Sequence, residues 1–402
     1  MRSCMENLLP KVTLAPGRDR SVRRFHPWIY SGAIAEKPNA VKAGDIVEVL
    51  SATGDFLGCA FYADSSIALK VFSFKKVVIN PQYWCQRIAH AGSVRAIHGL
   101  TPDAQHTNTF RLVNGEGDLL PGLIIDVYGG LFVVQCHSLG MFQLLDDIVT
   151  GIREFYGDSC HSIYLKSEHT LDGIVTAQPK NRFLYGTCGT VTVREQNIHY
   201  QVDAERGQKT GFFIDQRLNR QILVPFALGK RVLNLFSYTG GFSMAAHCGG
   251  ATHVTSVDVS AEAISMLMEN MTLNQFEKSN AEAIQRDAFE YLEQCSDKFD
   301  VIIVDPPPFA KSRGAIEKAL TGYRAINNLA LKRLSPQGML MTFSCSQVVT
   351  VPDFERVVSE AAADTGKQLA IVRRLGAPEC HPVSLFHPEG SYLKGLLLRS
   401  LN

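Results

Sequence analysis

The pattern of hydrophobic and polar positions changes character along the chain. Between about residues 10 and 75, short alternating segments separated by turn residues predict strands at 46–50, 56–62 and 67–74. Alternation with a period of two is typical of strands that bury one face. This part of the chain is therefore predicted to be a small β-barrel or sandwich.

From residue 80 to 98 the pattern becomes helical, and a second small unit follows. We predict two strands around the turns at 115–118 and 129–130, and two more at 162–166 and 191–194. Between these pairs, apolar residues in 140–156 recur at the spacing of an amphipathic helix. The predicted order is strand-strand-helix-strand-strand, an α+β domain in which we find no catalytic group.

From about residue 198 strands and helices alternate, which indicates a parallel sheet in an α/β domain. Strands are predicted at 231–236, 253–258, 283–286, 299–305 and 339–345, with helices at 241–248, 261–274, 288–295 and 315–334. Segments 368–375 and 391–398 lack a helix between them and predict a terminal antiparallel hairpin.

The strand at 299–305 has the sequence FDVIIVD and ends at three prolines. Its apolar run predicts burial on both faces. Asp305 then lies at the carboxyl end of the strand, where open α/β sheets bind ligands. Pro306 and the next two prolines would hold a stiff loop there. An Asp-Pro step after a strand is also common in simple turns.

Other predicted strand ends carry polar groups as well. The turn after the first strand, from Asn234 to Phe242, has two glycines, Gly240 and Gly241, that permit close approach of the backbone to a ligand. Asp258 is placed to bind the two hydroxyls of a ribose, although an acidic residue can simply favour a helix N-terminus. Asp287 could accept a hydrogen bond from an adenine amino group. Together with Asp305, these carboxylates would favour a cationic ligand such as the sulfonium of S-adenosylmethionine.

The fifth strand of this half ends at Cys345. Most of the ten cysteines are expected to be small buried hydrophobic residues. Cys345 differs because it lies at the predicted ligand edge, beside the strand that ends in Asp305. A thiolate there would be a nucleophile.

Composition narrows the class of protein. The 402 residues suggest two or three domains, and a net charge of +1 gives no global sign of nucleic-acid binding. The cysteines form no CxxC pairs and the N-terminus lacks an apolar signal core, so we expect a reduced, cytoplasmic protein. No apolar run is long enough for a transmembrane helix. We assign no metal site.

A local basic patch is still present near the N-terminus, followed by the aromatic run FHPWIY that includes Trp28. Cations beside aromatic rings suit contact with RNA phosphates and bases. A solvated charged edge with a core tryptophan is the alternative interpretation. The basic residues are Arg18, Arg20, Arg23 and Arg24.

Five motifs, GQKTGFFIDQR (207–217), NLFSYTGGFS (234–243), SVDVS (256–260), DPPPF (305–309) and SCS (344–346), resemble one known family. The chain is similar along its whole length to the bacterial ribosomal RNA large subunit methyltransferase I family, enzymes of the 5-methylcytosine type. The resemblance implies a PUA domain (1–78), a linker helix and α+β domain (79–197), and a Rossmann-like class I methyltransferase domain with a seven-stranded sheet (198–402).

The resemblance also implies roles for particular residues. Cys345 would add to C6 of a cytosine in 23S rRNA, and Asp305 would hold the N3 edge of that base. Phe309 would stack on the extruded base, and Lys209 would contact the cofactor or RNA. S-adenosylmethionine is the implied cofactor, and a homodimer is left open. The residues expected around the cofactor are Phe212, Asp215, Arg217, Asn234, Phe236, Tyr238, Thr239, Gly240, Asp258, Asp287, Asp305 and Pro306.

The motifs depart from the family at Pro308, because the usual DPP-Lys-Phe is DPP-Pro-Phe here and one cationic contact would be lost. A second difference concerns another branch of enzymes. Where another branch of RNA 5-methylcytosine enzymes has a second cysteine that helps release the product, this chain has a proline. Either release proceeds without that cysteine or Cys345 is not catalytic. Two rival functions therefore stay open, namely methylation of a nitrogen of guanine or adenine, and a catalytically silent RNA-binding or ribosome-assembly protein.

Overall fold

The structure is a computed structural model that describes residues 9–171, 179–310 and 312–402. By their contacts the residues form two compact units. The first contains the chain up to Val191 together with Val202–Phe212 and Glu379–Gly390, and the second contains Thr192–Gln201, Phe213–Pro378 and Ser391–Asn402. The domain boundaries after residues 78 and 197 stay predictions.

The first unit opens with a β-sheet that matches the predicted barrel. Its strands are β1 (Lys11–Leu14), β2 (Trp28–Tyr30), β3 (Ile34–Glu36), β4 (Ile46–Leu50), β5 (Phe56–Tyr62) and β6 (Ile67–Ser73). Within the described residues their order is β2-β6-β5-β4-β1-β3. In β4 buried residues alternate with partly exposed ones, as the sequence predicts.

The second part of the same unit begins with helix α1 (Pro81–Ile97), which Asn80 caps by accepting a hydrogen bond from Tyr83 N at 2.9 Å. The elements that follow are β7 (Thr109–Asn114), β8 (Leu123–Tyr128), β9 (Leu131–Cys136), α2 (Leu139–Gln143), α3 (Leu145–Tyr156), β10 (Ser162–Leu165) and β11 (Arg182–Tyr185). The strands form a sheet of order β11-β10-β9-β8-β7 within the described chain.

Two details of the predicted α+β domain are wrong. Three strands precede its helices instead of two, because the tight turn at 129–130 joins two full strands, β8 and β9. The predicted strand at 191–194 does not join this sheet. It is β12 (Val191–Glu195), which pairs with β13 (Ile198–Val202) in a separate two-stranded sheet.

The second unit is an α/β fold around a mostly parallel sheet. It contains α4 (Arg217–Leu223), β14 (Arg231–Leu235), α5 (Gly241–Cys248), β15 (His253–Asp258), α6 (Ala261–Leu273), β16 (Ala281–Gln285), α7 (Ala288–Gln294), β17 (Phe299–Val304), α8 (Ile316–Arg333), β18 (Leu334–Ser344), α9 (Val351–Asp364), β19 (Leu369–Leu375) and β20 (Lys394–Ser400). The order among the described strands is β16-β15-β14-β17-β18-β20-β19.

This sheet confirms the predicted α/β class and the terminal hairpin. Strands β14 to β18 are parallel, whereas β20 is antiparallel to both β18 and β19. In the central strand β17, Val301 and the three residues after it are all at most 1 % exposed, because helices cover both faces of the sheet. Helices α4 and α9 are additions to the predicted set.

Candidate active site

The carboxyl ends of the parallel strands meet at one edge of the large sheet. Leu235 at the end of β14 pairs with Val304 at the end of β17 and with Val257 near the end of β15. Val304 in turn pairs with Thr342, close to the end of β18. The residues that follow these strands, including Asp258, Asp305 and Cys345, therefore gather at this edge as predicted.

The loop after β14 is held in an unusual backbone conformation. Phe236 (φ 58°) and Tyr238 (φ 47°) are non-glycine residues in the left-handed region, and Gly240 (φ 82°) precedes α5. The Tyr238 N–H donates to Asp258 Oδ2 at 2.8 Å, which fixes the loop against β15. Strained backbone of this kind clusters at ligand-binding sites.

Three buried oxygen atoms of this segment have no hydrogen-bond partner within the described residues. They are Asn234 Oδ1, Ser237 Oγ and Thr239 Oγ1. Their side chains are at most 5 % exposed. Because buried polar atoms nearly always have a partner, these atoms fit the polar groups of a bound cofactor. The segment predicted to hold S-adenosylmethionine therefore suits that cofactor.

The two carboxylates predicted for the nucleoside have structural contacts of their own. Asp258 Oδ1 accepts from Ser260 N at 2.9 Å, in addition to its bond with Tyr238 N. Asp287 is exposed and caps α7, because its Oδ1 accepts from Phe289 N and Glu290 N at 2.8 and 3.2 Å. Their roles toward ribose and adenine stay predictions.

The segment that contains Asp215 shows a partner that sequence reasoning missed. Asp215 is 4 % exposed, and its Oδ2 accepts from the Tyr392 hydroxyl at 2.6 Å. Arg217, also 4 % exposed, begins α4 in the same unit. Phe212 belongs instead to the first unit, where its N–H donates to the Tyr128 hydroxyl at 3.2 Å. A binding role for Phe212 stays a prediction.

Cys345 lies directly against the proline loop that follows β17. Its thiol donates to the Pro306 carbonyl with an S–O distance of 3.6 Å. Cys345 is partly exposed and Pro306 is buried, whereas Pro307 and Pro308 are exposed. The predicted pairing of this cysteine with the Asp305 loop is thus present in the structure.

The residues around Cys345 are buried and hydrogen-bonded. Ser346 Oγ lies 3.0 Å from the hydroxyl of Tyr323 on α8, and the Ser346 carbonyl accepts from Lys394 Nζ at 2.7 Å. Burial raises the pKa of Tyr323, which therefore stays neutral near pH 7. Sequence reasoning missed Lys394, although a single lysine in the apolar strand β20 was an available signal.

Phe309 is half-buried and packs between other rings. Its centroid lies 4.7 Å from that of Tyr323 and 6.4 Å from that of Phe289. The ring thus supports the core beside the site in this structure. Its predicted stacking on a substrate base stays a prediction.

The predicted RNA-binding residues lie in the first unit. Arg18, Arg20 and Arg24 are exposed, whereas Arg23 bridges Asp19 and Asp55, both at 2.6 Å. Two rings of the aromatic run are exposed, those of Tyr30 (53 %) and Phe25 (50 %). Phe25 packs on Phe74 and Phe386 with centroid distances of 5.4 and 5.3 Å.

Trp28 and Lys209 have different surroundings. Trp28 is partly buried, its Nε1–H donates to Glu116 Oε1 at 2.8 Å, and its ring lies 4.3 Å from that of His387. Lys209 is exposed with φ 50°. Their roles in RNA binding stay predictions.

The described residues were also compared with the requirements of disulfide bonds, metal sites and membrane-spanning helices. Nine cysteines are described and all are free thiols. No group of three or more His, Cys, Asp or Glu side chains in the described ranges is arranged to hold a metal ion. Among the described helices, none combines the length and apolar character that crossing a membrane requires.

Comparison with family models gives two matches. Residues 181–399 match a model described as S-adenosylmethionine-dependent methyltransferase. Residues 12–74 match a model described as PUA-like domain. The two matches lie in the regions where the sequence predicts a methyltransferase domain and a PUA domain.

Curated relatives are similar over nearly the full length. Ribosomal RNA large subunit methyltransferase I of Alteromonas mediterranea is 37% identical, with 96% of this chain and 98% of the relative covered. The protein of the same name from Klebsiella pneumoniae is 35% identical, with 98% and 99% covered.

Solved structures show the same likeness. The crystal structure of SMU.776 complexed with SAH has a TM-score of 0.84 and 25% identity, over 97% of this chain and 99% of that one. A SAM-dependent methyltransferase from Streptococcus mutans has a TM-score of 0.83 at the same identity and coverage.

Proposed function

Because the chain belongs to the ribosomal RNA large subunit methyltransferase I family of S-adenosylmethionine-dependent methyltransferases, we propose that it methylates C5 of a cytosine in 23S rRNA, with Cys345 as the nucleophile. The observation that carries the proposal is the contact of the Cys345 thiol with the Pro306 carbonyl, one residue after Asp305. An enzyme that methylates a base nitrogen has no need of a thiol at this position.

The residues of this chain suit covalent activation of the base. C5 of cytosine is a weak nucleophile, so the Cys345 thiolate adds to C6, forming a C–S bond and moving the C5–C6 π electrons toward C5. Asp305 holds the N3 edge and supplies a proton there. After methylation a base removes the C5 proton, the C5–C6 double bond re-forms, and the C–S bond breaks to return the thiolate. N3 gives its proton back to Asp305, so that both side chains return to their starting state.

The β14 loop and its neighbours would hold the cofactor. S-adenosylmethionine supplies, when bound, a methyl group that leaves its sulfonium sulfur for the activated carbon. Asn234, Ser237 and Thr239 would donate to or accept from its polar groups, because their oxygens lack other partners among the described residues. Asp258 would bind the ribose through lone pairs that the backbone leaves free. Asp215 and Arg217 would help enclose the cofactor.

The first unit would bind RNA. Arg18, Arg20 and Arg24 offer exposed cations, and Phe25 offers an exposed ring beside them in sequence. Cations with an aromatic ring suit single-stranded RNA, which is bound through its phosphates and through stacking on its bases.

The decisive experiment is to trap the enzyme on RNA that contains 5-fluorocytosine. Fluorine at C5 blocks removal of the proton, so the Cys345 adduct should accumulate and survive denaturing electrophoresis. We expect Cys345→Ala to abolish both the adduct and methyl transfer, with a loss of at least about a thousandfold. Cys295→Ala, which removes a partly exposed thiol elsewhere in the same unit, is the matched control.

Each alternative gives a different result. Methyl transfer retained by Cys345→Ala would contradict the proposal, and nitrogen methylation would then be read directly from the modified base by mass spectrometry. RNA binding without any methyl transfer by the wild-type protein would indicate a catalytically silent assembly protein.

A further inference from the structure

Lys394 is a buried lysine beside the segment that contains Cys345. In the antiparallel pairing of β20 with β18, Lys394 lies opposite Ser344. Its Nζ donates to the carbonyl of Ser346 at 2.7 Å. Lys394 is therefore connected to both neighbours of Cys345, to Ser344 by backbone strand pairing and to Ser346 by a side-chain hydrogen bond. Lys394 is only 7 % exposed.

This burial needs an explanation, because an ammonium group is rarely buried without a counter-charge. Within the described residues Lys394 has no ion pair with a carboxylate, and its hydrogen bond to the Ser346 carbonyl uses one of three N–H groups. Burial lowers the pKa of Lys394 to about 8, and the charge of Cys345 acts in the opposite direction. Cys345 is thus the group whose negative charge, when it is ionised, would act on this ammonium group.

We propose that Lys394 is the positioning residue of Cys345: it holds the segment 344–346 at the ligand edge and supplies the positive charge that favours the thiolate. The inference rests on the proposed function, in which Cys345 is the nucleophile. A cation beside a cysteine stabilises the thiolate relative to the thiol, and only the thiolate adds to C6. The attraction is mutual: a thiolate stabilises the charged form of the ammonium group, and the ammonium group equally stabilises the charged form of the thiol.

Other titratable groups at this edge define the pH range of the effect. Tyr323 on α8 faces Cys345 through Ser346 and stays protonated, because burial raises its pKa. Asp305 lies at the end of the neighbouring strand β17. Lys394, whose pKa burial lowers to about 8, is positively charged at pH 7 and loses that charge as the pH rises through this value.

The test measures thiolate formation without RNA or methyl transfer. The full-length protein is alkylated with iodoacetamide across pH 5.5 to 9.5, and modification of the Cys345 peptide is followed by mass spectrometry. Lys394→Gln keeps a donor for the Ser346 carbonyl but removes the charge. We expect it to move the alkylation midpoint upward by about one pH unit, so that the rate at pH 7 falls about tenfold.

Two further variants separate charge from structure. Lys394→Arg keeps the charge and should restore the wild-type midpoint. Lys367→Met removes a lysine that donates to the Leu334 carbonyl at the other end of β18, and it should leave the midpoint unchanged. An unchanged midpoint in Lys394→Gln, or an equal shift in Lys367→Met, would overturn the proposal.

The outcome is independent of the trapping experiment. If Lys394→Gln shifts the alkylation midpoint while 5-fluorocytosine RNA gives no adduct, the proposed reaction is contradicted. The interaction between the charges of Lys394 and Cys345 is then still supported. If the adduct forms and the midpoint does not move, the reaction stands and Lys394 has no part in activating Cys345. The pH profile of kcat in Lys394→Gln should shift in the same direction as the alkylation profile.

Discussion

At the scale of single residues, buried oxygens without partners occur both in the candidate ligand site and in the core, and only their position in the fold separates them. Thr239 Oγ1 and Thr342 Oγ1 are both buried without a hydrogen-bond partner in the described chain, and both side chains are at most 1 % exposed. They differ in place, because Thr239 lies in the strained loop after β14 and Thr342 lies inside β18. The two positions form a natural pair for comparison.

Thr239→Val should weaken cofactor binding without weakening the fold. Valine has nearly the same shape as threonine, and the hydroxyl it removes has no partner among the described residues of the free protein, so stability should be unchanged or slightly higher. Loss of one hydrogen bond to the cofactor corresponds to about a fivefold to twentyfold weaker affinity. Calorimetric titration with S-adenosylhomocysteine measures the affinity, and urea unfolding measures the stability.

Thr342→Val is the control for that substitution. It removes a similar buried hydroxyl from the sheet interior and should leave cofactor affinity unchanged. Equal affinities for wild type and Thr239→Val would show that the Thr239 hydroxyl does not bind the cofactor.

At the scale of elements, a helix cap and a binding group can be the same side chain. Asp287 caps α7 through two backbone N–H groups, yet its position after β16 is the one expected to meet adenine. One carboxylate oxygen serves the cap, and the other is available to an adenine amino group.

Asp287→Ala should therefore lower both stability and cofactor affinity. Loss of the cap corresponds to about 0.5–2 kcal/mol in the free energy of unfolding. Ser260→Ala is the matched control, because Ser260 caps α6 by accepting from Ala263 N at 3.2 Å. Both variants should unfold at lower urea concentration. If cofactor affinity falls equally in both, the effect of Asp287 is that of a cap alone.

The pattern of hydrophobic and polar positions predicts where helices and strands lie better than it predicts which strands pair. The apolar run at 301–304 gives β17 its position, and Gly240 marks the turn before α5, because local composition determines both. By contrast, β12 was assigned to the wrong sheet, because the alternation of its residues does not show that it forms a hairpin with β13 and leaves the α+β sheet. Lys394 and Tyr392 were missed for a different reason, since their importance comes from Ser346 and Asp215, which are far away in sequence.

At the scale of the whole molecule, buried histidines in both units affect the response to acid. Burial lowers the pKa of His387 in the first unit, and it lowers the pKa of His247 in the second unit to about 4. His247 stacks on Phe276 with a centroid distance of 5.3 Å, and its Nε2 has no partner within the described residues. Near pH 7 both rings are therefore neutral in the folded protein.

Stability should fall as the pH drops from 6.5 toward 4. In that window an unfolded histidine, with a pKa of about 6.5, binds a proton that folded His247 does not bind. For His247 alone the loss reaches up to about 2 kcal/mol at pH 5. Urea unfolding between pH 7.5 and pH 5 measures this loss of free energy of unfolding. His247→Phe should make the free energy of unfolding depend less steeply on pH.

The buried pair of Arg220 with Glu195 limits how this protein can be divided or recombined. Arg220 on α4 donates to both Glu195 carboxylate oxygens at 2.8 and 2.5 Å, and both side chains are about 2 % exposed. Glu195 lies on β12, before residue 198. A gene fragment that starts at residue 198 would leave Arg220 buried without its counter-charge, a loss of about 3–5 kcal/mol. Domain shuffling that preserves the methyltransferase unit must therefore cut the chain before β12.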